Sequence, residues 1–127
     1  MKMINMHKKG DILKTKKPVR IWNMDKEMYH AAVVWQDEYD GRGDFLGIML
    51  TTDCRKSDNI LMLENHFNET LKFKFKESRF VNQLFYKLRE WSRFIKVGEL
   101  TEQGIVFIEE NLTNTEPMLF SDYITRR

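Results

Sequence analysis

Residues 71–97 read LKFKFKESRFVNQLFYKLREWSRFIKV, and this stretch decides the expected fold. It begins with alternating lysines and apolar residues, the apolar ones being Leu71, Phe73 and Phe75. A period of two is typical of a strand with one buried face. Residues 78–84 form a second extended candidate, residues 85–94 an aromatic-rich turn region, and residues 95–97 a short strand. The stretch therefore predicts a mainly β fold.

The same stretch is strongly basic. Residues 72–96 contain eight Lys or Arg and two acids, and Phe, Tyr and Trp are interspersed among them. Such a mixture suits a surface that contacts phosphates and stacks bases. It equally suits a solvated strand face above an ordinary aromatic core, and the residues alone leave both interpretations open.

The totals indicate one small globular domain. The 127 residues carry a net charge of +2, with 31% charged and 42% hydrophobic side chains. We expect a single domain over residues 1–127, with residues 1–9 and 113–127 as peripheral tails. No apolar run approaches the roughly 20 residues that span a bilayer, and no secretory signal begins the sequence. One cysteine is typical of a reducing compartment, so we expect a cytoplasmic protein without membrane contact.

Strand patterns continue on both sides of the basic stretch. Short strands are predicted over 12–15, 29–36, 45–52 and 60–63, and the second of them, rich in β-branched and aromatic residues, is expected to be buried. A hairpin turn is predicted in DEYDGRGD after it. Gly47 inside the third predicts a bulge or a sharp bend.

One helix follows the last strand. Thr101 is expected to cap it, with Leu100 and Ile105 as a hydrophobic staple. Ile105, Ile108 and Leu112 recur at helical spacing and predict a face that packs on the sheet. Five to seven short strands and this helix predict a small, strongly bent antiparallel barrel with a C-terminal helix.

The common catalytic motifs are absent. The sequence contains no metal-binding CxxC or HExxH spacing and no phosphate-binding glycine loop. We therefore expect neither a metal nor another cofactor.

Three short segments appear in a familiar order: KKGDIL at 8–13, HAAVVW at 30–35 and GIMLTTD at 47–53. This order resembles the MazF/PemK-like toxin family, whose members open with a KRGDI-type strand, carry RPALVL and continue with a strand ending in ITS. Residues 78–112 are similar to the closing portion of that family. The resemblance implies an SH3-like barrel, a homodimer, and metal-independent cleavage of single-stranded RNA that an antitoxin protein restrains.

The resemblance also implies catalytic positions. The threonine of the ITS-like strand end matches Thr51, whose hydroxyl would donate to a phosphate oxygen. The family's catalytic arginine falls on His30, which would act as general base or acid. Arg79 matches no position of the family pattern, but it lies close to Asn82 and Gln83 in the sequence and would replace the missing positive charge that stabilises the transition state. Where some relatives carry an acidic residue, this sequence has Asn82 and Gln83.

Each position has an ordinary structural alternative. His30 fits a half-buried strand histidine, and Thr51 fits a strand end. The expected RNA-binding residues are Lys16, Lys17, Arg20, Trp22, Lys72, Lys74, Lys76, Asn82 and Gln83. The alternative function is a barrel of the same shape that binds nucleic acid or protein without cutting it, or a protein-interaction module.

Overall fold

The computed structural model describes residues 7–18, 29–36, 45–52, 59–68, 77–86 and 93–125. Within this part of the chain the strands are β1 (Asp11–Thr15), β2 (Ala31–Gln36), β3 (Leu46–Thr51), β4 (Asn59–Leu61), β5 (Phe67–Asn68), β6 (Arg79–Val81) and β7 (Phe94–Leu100). A 3-10 turn (Glu64–His66) precedes β5, and the helices are α1 (Glu102–Asn111) and α2 (Phe120–Thr125). The strands pair antiparallel in the order β4-β6-β3-β2-β1-β7-β5. They form a curled sheet, half of a barrel, so the predicted mainly β fold with a C-terminal helix is confirmed.

The sequence predicted β1, β2, β3, β4 and α1 within two residues at each end, and it predicted β6 and β7 with C-terminal ends that differ by three residues. The 3-10 turn, β5 and α2 were not expected as separate elements. The predicted strand at 71–76 and the hairpin turn at 37–44 lie outside the described residues. None of the described helices is long and apolar enough to cross a membrane.

Both faces of the sheet are covered, because consecutive residues of each central strand enter different apolar clusters. The α1 core contains Ile12, Val33, Leu46, Ile48, Met62, Phe67, Phe80, Leu84, Val97, Leu100 and Ile108. The α2 core, on the other face, contains Leu13, Ala32, Val34, Phe45, Met49, Val81, Phe85 and Tyr123. Strands buried on both faces show continuous apolar runs instead of clean alternation, which explains sequences such as AAVV and GIML.

The C-terminal segment completes the α2 core. Phe85 forms edge-on ring contacts with Phe120 and Tyr123, at centroid distances of 5.2 and 5.3 Å. Such pairs contribute about 0.5–1.5 kcal/mol each beyond the area they bury. Met118 also packs here and bridges to Phe85. Met118, Phe120 and Tyr123, which belong to the predicted tail at 113–127, therefore pack on the sheet.

The sequence predicted a bulge or bend at Gly47 of β3, and the bulge lies opposite it, in β2. Val34 pairs with Gly47 and Gln36 pairs with Leu46, which leaves Trp35 as the extra residue of β2. On its other side Gly47 exchanges two backbone hydrogen bonds of 2.9 Å with Phe85. Gly47 therefore lies between two chain segments, and the bend belongs to β2.

The start of α1 agrees with the sequence prediction. The Thr101 hydroxyl oxygen accepts the backbone N–H of Gly104 at 3.1 Å, which satisfies one of the N–H groups left over at a helix start. The same hydroxyl donates to the carbonyl of Asn65 at 2.8 Å. Ile105, Ile108 and Leu112 pack against the sheet as expected.

The 3-10 turn fits closely against this helix start. The carbonyl of His66 accepts the N–H of Thr101 at 2.9 Å. A side-chain carbon placed on Gly104 would overlap that carbonyl oxygen. The His66 ring stacks on Phe107 at 4.4 Å, and its Nδ1 accepts the Leu63 N–H at 2.9 Å. Gly104 is therefore required by the close approach of two backbones, a reason invisible in the sequence.

Gly104→Ala is expected to destabilise the fold by about 1–3 kcal/mol, the usual cost of overpacking, even though alanine favours helices by about 1 kcal/mol. Urea unfolding followed by circular dichroism measures the change. Glu110→Ala, on the exposed face of α1, is the control and should stay within about 0.5 kcal/mol of the parent. Equal or greater stability of Gly104→Ala would contradict the close approach.

Burial lowers the pKa of His66 below its ordinary value. The folded state therefore binds this proton less readily than the unfolded state, so the contribution of His66 is complete above pH 6.5 and is lost as pH falls through the lower folded pKa. We expect the free energy of unfolding to decrease from pH 7.5 to 5.5. The contribution of His66 to this slope should be at most about 1.4 kcal/mol per pH unit. His66→Gln should flatten the urea-unfolding profile, whereas His7→Gln should leave this share intact. A profile unchanged in His66→Gln would show that another group is responsible.

Candidate functional site

His30 lies immediately before β2 and its backbone is fixed by Thr15 of β1. Its N–H donates to the Thr15 hydroxyl at 3.0 Å, and its carbonyl accepts the Thr15 N–H at 2.9 Å. The residue is half-buried. These two hydrogen bonds to Thr15 fix the position of His30 opposite Thr15 in the register of β1 and β2.

Thr51 and Arg79 lie beside His30 across the sheet. Thr51, the last residue of β3, pairs with Arg79, the first residue of β6. Ala31 pairs with Leu50, so one step further in the same register places His30 opposite Thr51. Directly opposed residues of antiparallel strands project from the same face. The three predicted catalytic residues therefore form one row, here called the His30 row, on the α2-core face of the sheet.

The guanidinium of Arg79 has an acidic neighbour. Its Nη2 lies 3.8 Å from a carboxylate oxygen of Glu77, and the side chains are 21% and 76% exposed, respectively. Ion pairs with such an exposed partner contribute little, about 0–1 kcal/mol. Glu77 therefore holds Arg79 weakly enough for a phosphate to take its place.

Lys16 and Lys17 follow β1 directly and are both exposed. The backbone N–H of Lys16 donates to the carbonyl of Arg93 at 2.8 Å, which places this segment beside the start of β7. Both lysines are thus at the end of β1 that carries Thr15 and the contact to His30. The other predicted RNA-binding cations and the tryptophan lie outside the described residues: Arg20, Trp22, Lys72, Lys74 and Lys76.

Asn82 and Gln83, also predicted to bind RNA, hold the C-terminal segment. The Asn82 side chain exchanges two 2.8 Å hydrogen bonds with Thr113. The buried Gln83 amide donates to the carbonyls of Leu84 and Glu116 at 3.0 and 2.6 Å. These amides are used to fix the chain between α1 and α2, away from the His30 row.

A polar surface cleft of about 500 Å³ lies beside this attachment, lined in part by Gln83, Tyr86, Asn114, Glu116 and Asp122. Its charged lining residues are both acidic. A phosphate would be repelled there. The cleft and the His30 row therefore differ in the ligand charge that they favour.

A basic aromatic surface was missed by the sequence interpretation. Tyr29 is 52% exposed, and the Lys14 ammonium lies 4.8 Å from its ring centroid. Lys14 pairs across the strands with Ile95, which is 41% exposed. Tyr29 was read as the start of a buried strand, since an aromatic residue before AAVV favours burial. In the structure β2 begins at Ala31, so Tyr29 lies before the strand and its side chain is exposed.

The opposite end of β1 carries a compensated charge cluster. The buried Asp11 accepts the Lys8 N–H at 3.0 Å and lies 3.2 Å from the Lys96 ammonium. Hydrogen bonds to Glu99 and Asp11 raise the pKa of Lys96. This ammonium is already neutralised by carboxylates, whereas Lys14 and Lys16 at the His30 end form no ion pair with any residue that the structure describes.

Among the residues that the structure describes, no group of three or more His, Cys, Asp or Glu is arranged to hold a metal ion. Comparisons with models of protein families, with curated proteins and with solved structures found no match for this chain.

Gln83→Ala is expected to lower stability by about 1–3 kcal/mol, because two carbonyls lose a buried donor. RNA affinity should stay unchanged, since the amide faces the C-terminal segment. Urea unfolding and fluorescence anisotropy with a labelled RNA measure the two effects. Gln36→Ala, at an exposed strand end, is the matched control. A loss of RNA affinity without a loss of stability would restore Gln83 as a binding residue.

Proposed function

We propose that this protein is a metal-independent endoribonuclease that cleaves single-stranded RNA at the His30 row. The observation that carries the proposal is the strand register, which aligns a histidine, a threonine hydroxyl and an arginine on three neighbouring strands. These residues are far apart in sequence, and each is a candidate on sequence grounds that do not depend on the register. An imidazole, a hydroxyl and a guanidinium are the groups that phosphodiester cleavage uses.

The reaction needs no group from outside the RNA and the protein. The 2′-oxygen attacks the adjacent phosphorus while the bond from phosphorus to the 5′-oxygen breaks. The proton of the 2′-hydroxyl goes to a base, and the leaving 5′-oxygen takes a proton from an acid or from water. The products are a 2′,3′-cyclic phosphate and a 5′-hydroxyl.

Each residue of the row has a defined role in this reaction. His30 accepts the 2′-hydroxyl proton and, as imidazolium, returns a proton to the leaving oxygen. Thr51 donates its hydroxyl to a phosphate oxygen. Arg79 leaves Glu77 and stabilises the charge that develops on the phosphate in the transition state.

The surrounding charge supports an RNA substrate. Lys16 and Lys17 are exposed at the same end of β1 as the His30 row, and their positive charge attracts the phosphates of an RNA strand to this end of the sheet. Assembly as a homodimer and restraint by an antitoxin protein, both implied by the family resemblance, belong to this proposal.

A second candidate is a barrel that binds RNA without cutting it. It is favoured by the existing contact between Arg79 and Glu77 and by the modest 21% exposure of the arginine side chain. The two functions differ in one result, which is the appearance of new RNA ends.

His30→Ala and Arg79→Ala are each expected to reduce cleavage by about 10²–10⁴-fold, the usual contribution of a positioned acid or base, or of a charge-stabilising group. The assay incubates a long mixed-sequence RNA with purified protein in EDTA and maps the ends by primer extension. Thr51→Val should also slow cleavage, whereas its exposed neighbour Thr52→Val is the matched control. His7→Ala is the control for loss of a histidine, since His7 lies by Asp11 at the far end of β1.

A 2′-deoxy nucleotide at the cut position should block cleavage there, because the attacking oxygen is missing. Full activity of both His30→Ala and Arg79→Ala would overturn the assignment. Intact RNA at high protein concentration, together with measurable binding, would leave the non-cleaving barrel as the function.

A further inference from the structure

The Tyr29 surface is the exposed end of β1, β2 and β7, formed by Lys14, Lys16, Tyr29, Arg93 and Ile95. The contacts that join it are the Lys14–Tyr29 approach, the Lys14–Ile95 strand pair and the Lys16–Arg93 hydrogen bond. All five residues are exposed. They are therefore presented together to solvent.

This surface lies at the same end of the strands as the His30 row but on the other face. Side chains alternate between faces along a strand. Thr15 projects from the same face of the sheet as His30, so its neighbours Lys14 and Lys16 project from the opposite face. An RNA strand that passes around this end of the sheet would contact both faces.

The charge of the Tyr29 surface is of one sign. Residues 12–18, 29–36 and 93–95 contain no Asp or Glu. Lys14, Lys16 and Arg93 make no ion pair with any described residue. Within the described part of the chain, the Tyr29 surface therefore combines one exposed tyrosine with three cations that form no ion pair.

The tyrosine ring is suited to stacking. Its residue is 52% exposed, so the Lys14 ammonium at 4.8 Å covers only part of it. A base can stack on the remaining ring surface, because every base has an apolar face whatever its sequence. The nearby cations would then contact the phosphates of the stacked nucleotide and its neighbours.

We propose that the Tyr29 surface binds single-stranded RNA, with one base stacked on Tyr29 and the flanking phosphates on Lys14, Lys16 and Arg93. The proposal rests on the proposed function in taking RNA as the ligand. It adds a binding site on the opposite face of the sheet from the His30 row. It also implies contacts that tolerate any base sequence, since stacking and phosphate contacts carry little sequence information.

The test uses a fluorescently labelled 2′-O-methyl oligonucleotide of mixed sequence, which has no free 2′-hydroxyl and cannot be cut. Tyr29→Ala is expected to weaken binding about 5- to 150-fold in fluorescence anisotropy. Tyr29→Phe should bind like the parent, because it retains the ring. Leu63→Ala removes a similarly exposed side chain from another part of the surface and is the matched control. Circular dichroism verifies that each variant is folded.

Salt dependence tests the cations. Each phosphate contact contributes about 0.7 to the slope of log affinity against log salt for a single strand. Replacing Lys14, Lys16 and Arg93 together by alanine should therefore reduce that slope by about 2. An unchanged slope would exclude them as phosphate contacts.

The binding results separate this inference from the ribonuclease proposal. Tyr29→Ala with parental affinity, or Tyr29→Phe as weak as Tyr29→Ala, would overturn the stacking site even where RNA is cleaved. Tyrosine-dependent binding without cleavage of ordinary RNA would support the site and overturn the ribonuclease. Absence of any binding by the parent protein would overturn the stacking site.

Discussion

The register of the central strands is the constraint on which the rest of the structure depends. β1, β2, β3 and β6 are buried on both faces, and neighbouring residues such as Phe80 and Val81 enter different cores. A slip by one residue would exchange their faces, and side chains of different volume would then leave voids and overlaps. The same register brings His30, Thr51 and Arg79 side by side. Core packing and the candidate site are thus fixed by one set of pairings.

The two ends of β1 differ in how their positive charges are paired with carboxylates. At the first end Asp11 and Glu99 neutralise Lys96, so the cation is used inside the protein. At the other end Lys14 and Lys16 have no acidic partner among the described residues. A net charge of +2 conceals this difference. Among the described residues, the Lys14 and Lys16 end therefore carries the cations without an ion pair, which favours attraction of an anionic strand to that end of the sheet.

The sequence predicted elements well where local chemistry governs them. Thr101 caps α1 because a threonine hydroxyl can satisfy a free N–H at any helix start, and Ile108 is buried as its helical spacing indicates. For Gln83 it predicted an RNA contact and missed the hydrogen bonds to Leu84 and Glu116, because an amide that holds a distant loop looks the same in sequence as one that faces solvent. By propensity alone Gly104 weakens the helix by about 1 kcal/mol relative to alanine, whereas the close approach of the His66 carbonyl requires it. Tyr29 was assigned to a buried strand because aromatic residues favour burial on average.

The sequence by itself determined the class of the fold, the helix with its cap and the uneven charge, since these depend on the period of apolar residues and on composition. Only the tertiary structure decided which residues meet. The row of His30, Thr51 and Arg79 joins positions 21 and 28 residues apart, and strand pairing between distant segments depends on how both faces of the sheet fill. Exposure of Tyr29 likewise depends on where β2 begins against its neighbours. The period of apolar residues is a property of neighbouring positions in the sequence, whereas the candidate site depends on the pairing of strands that are distant in the sequence.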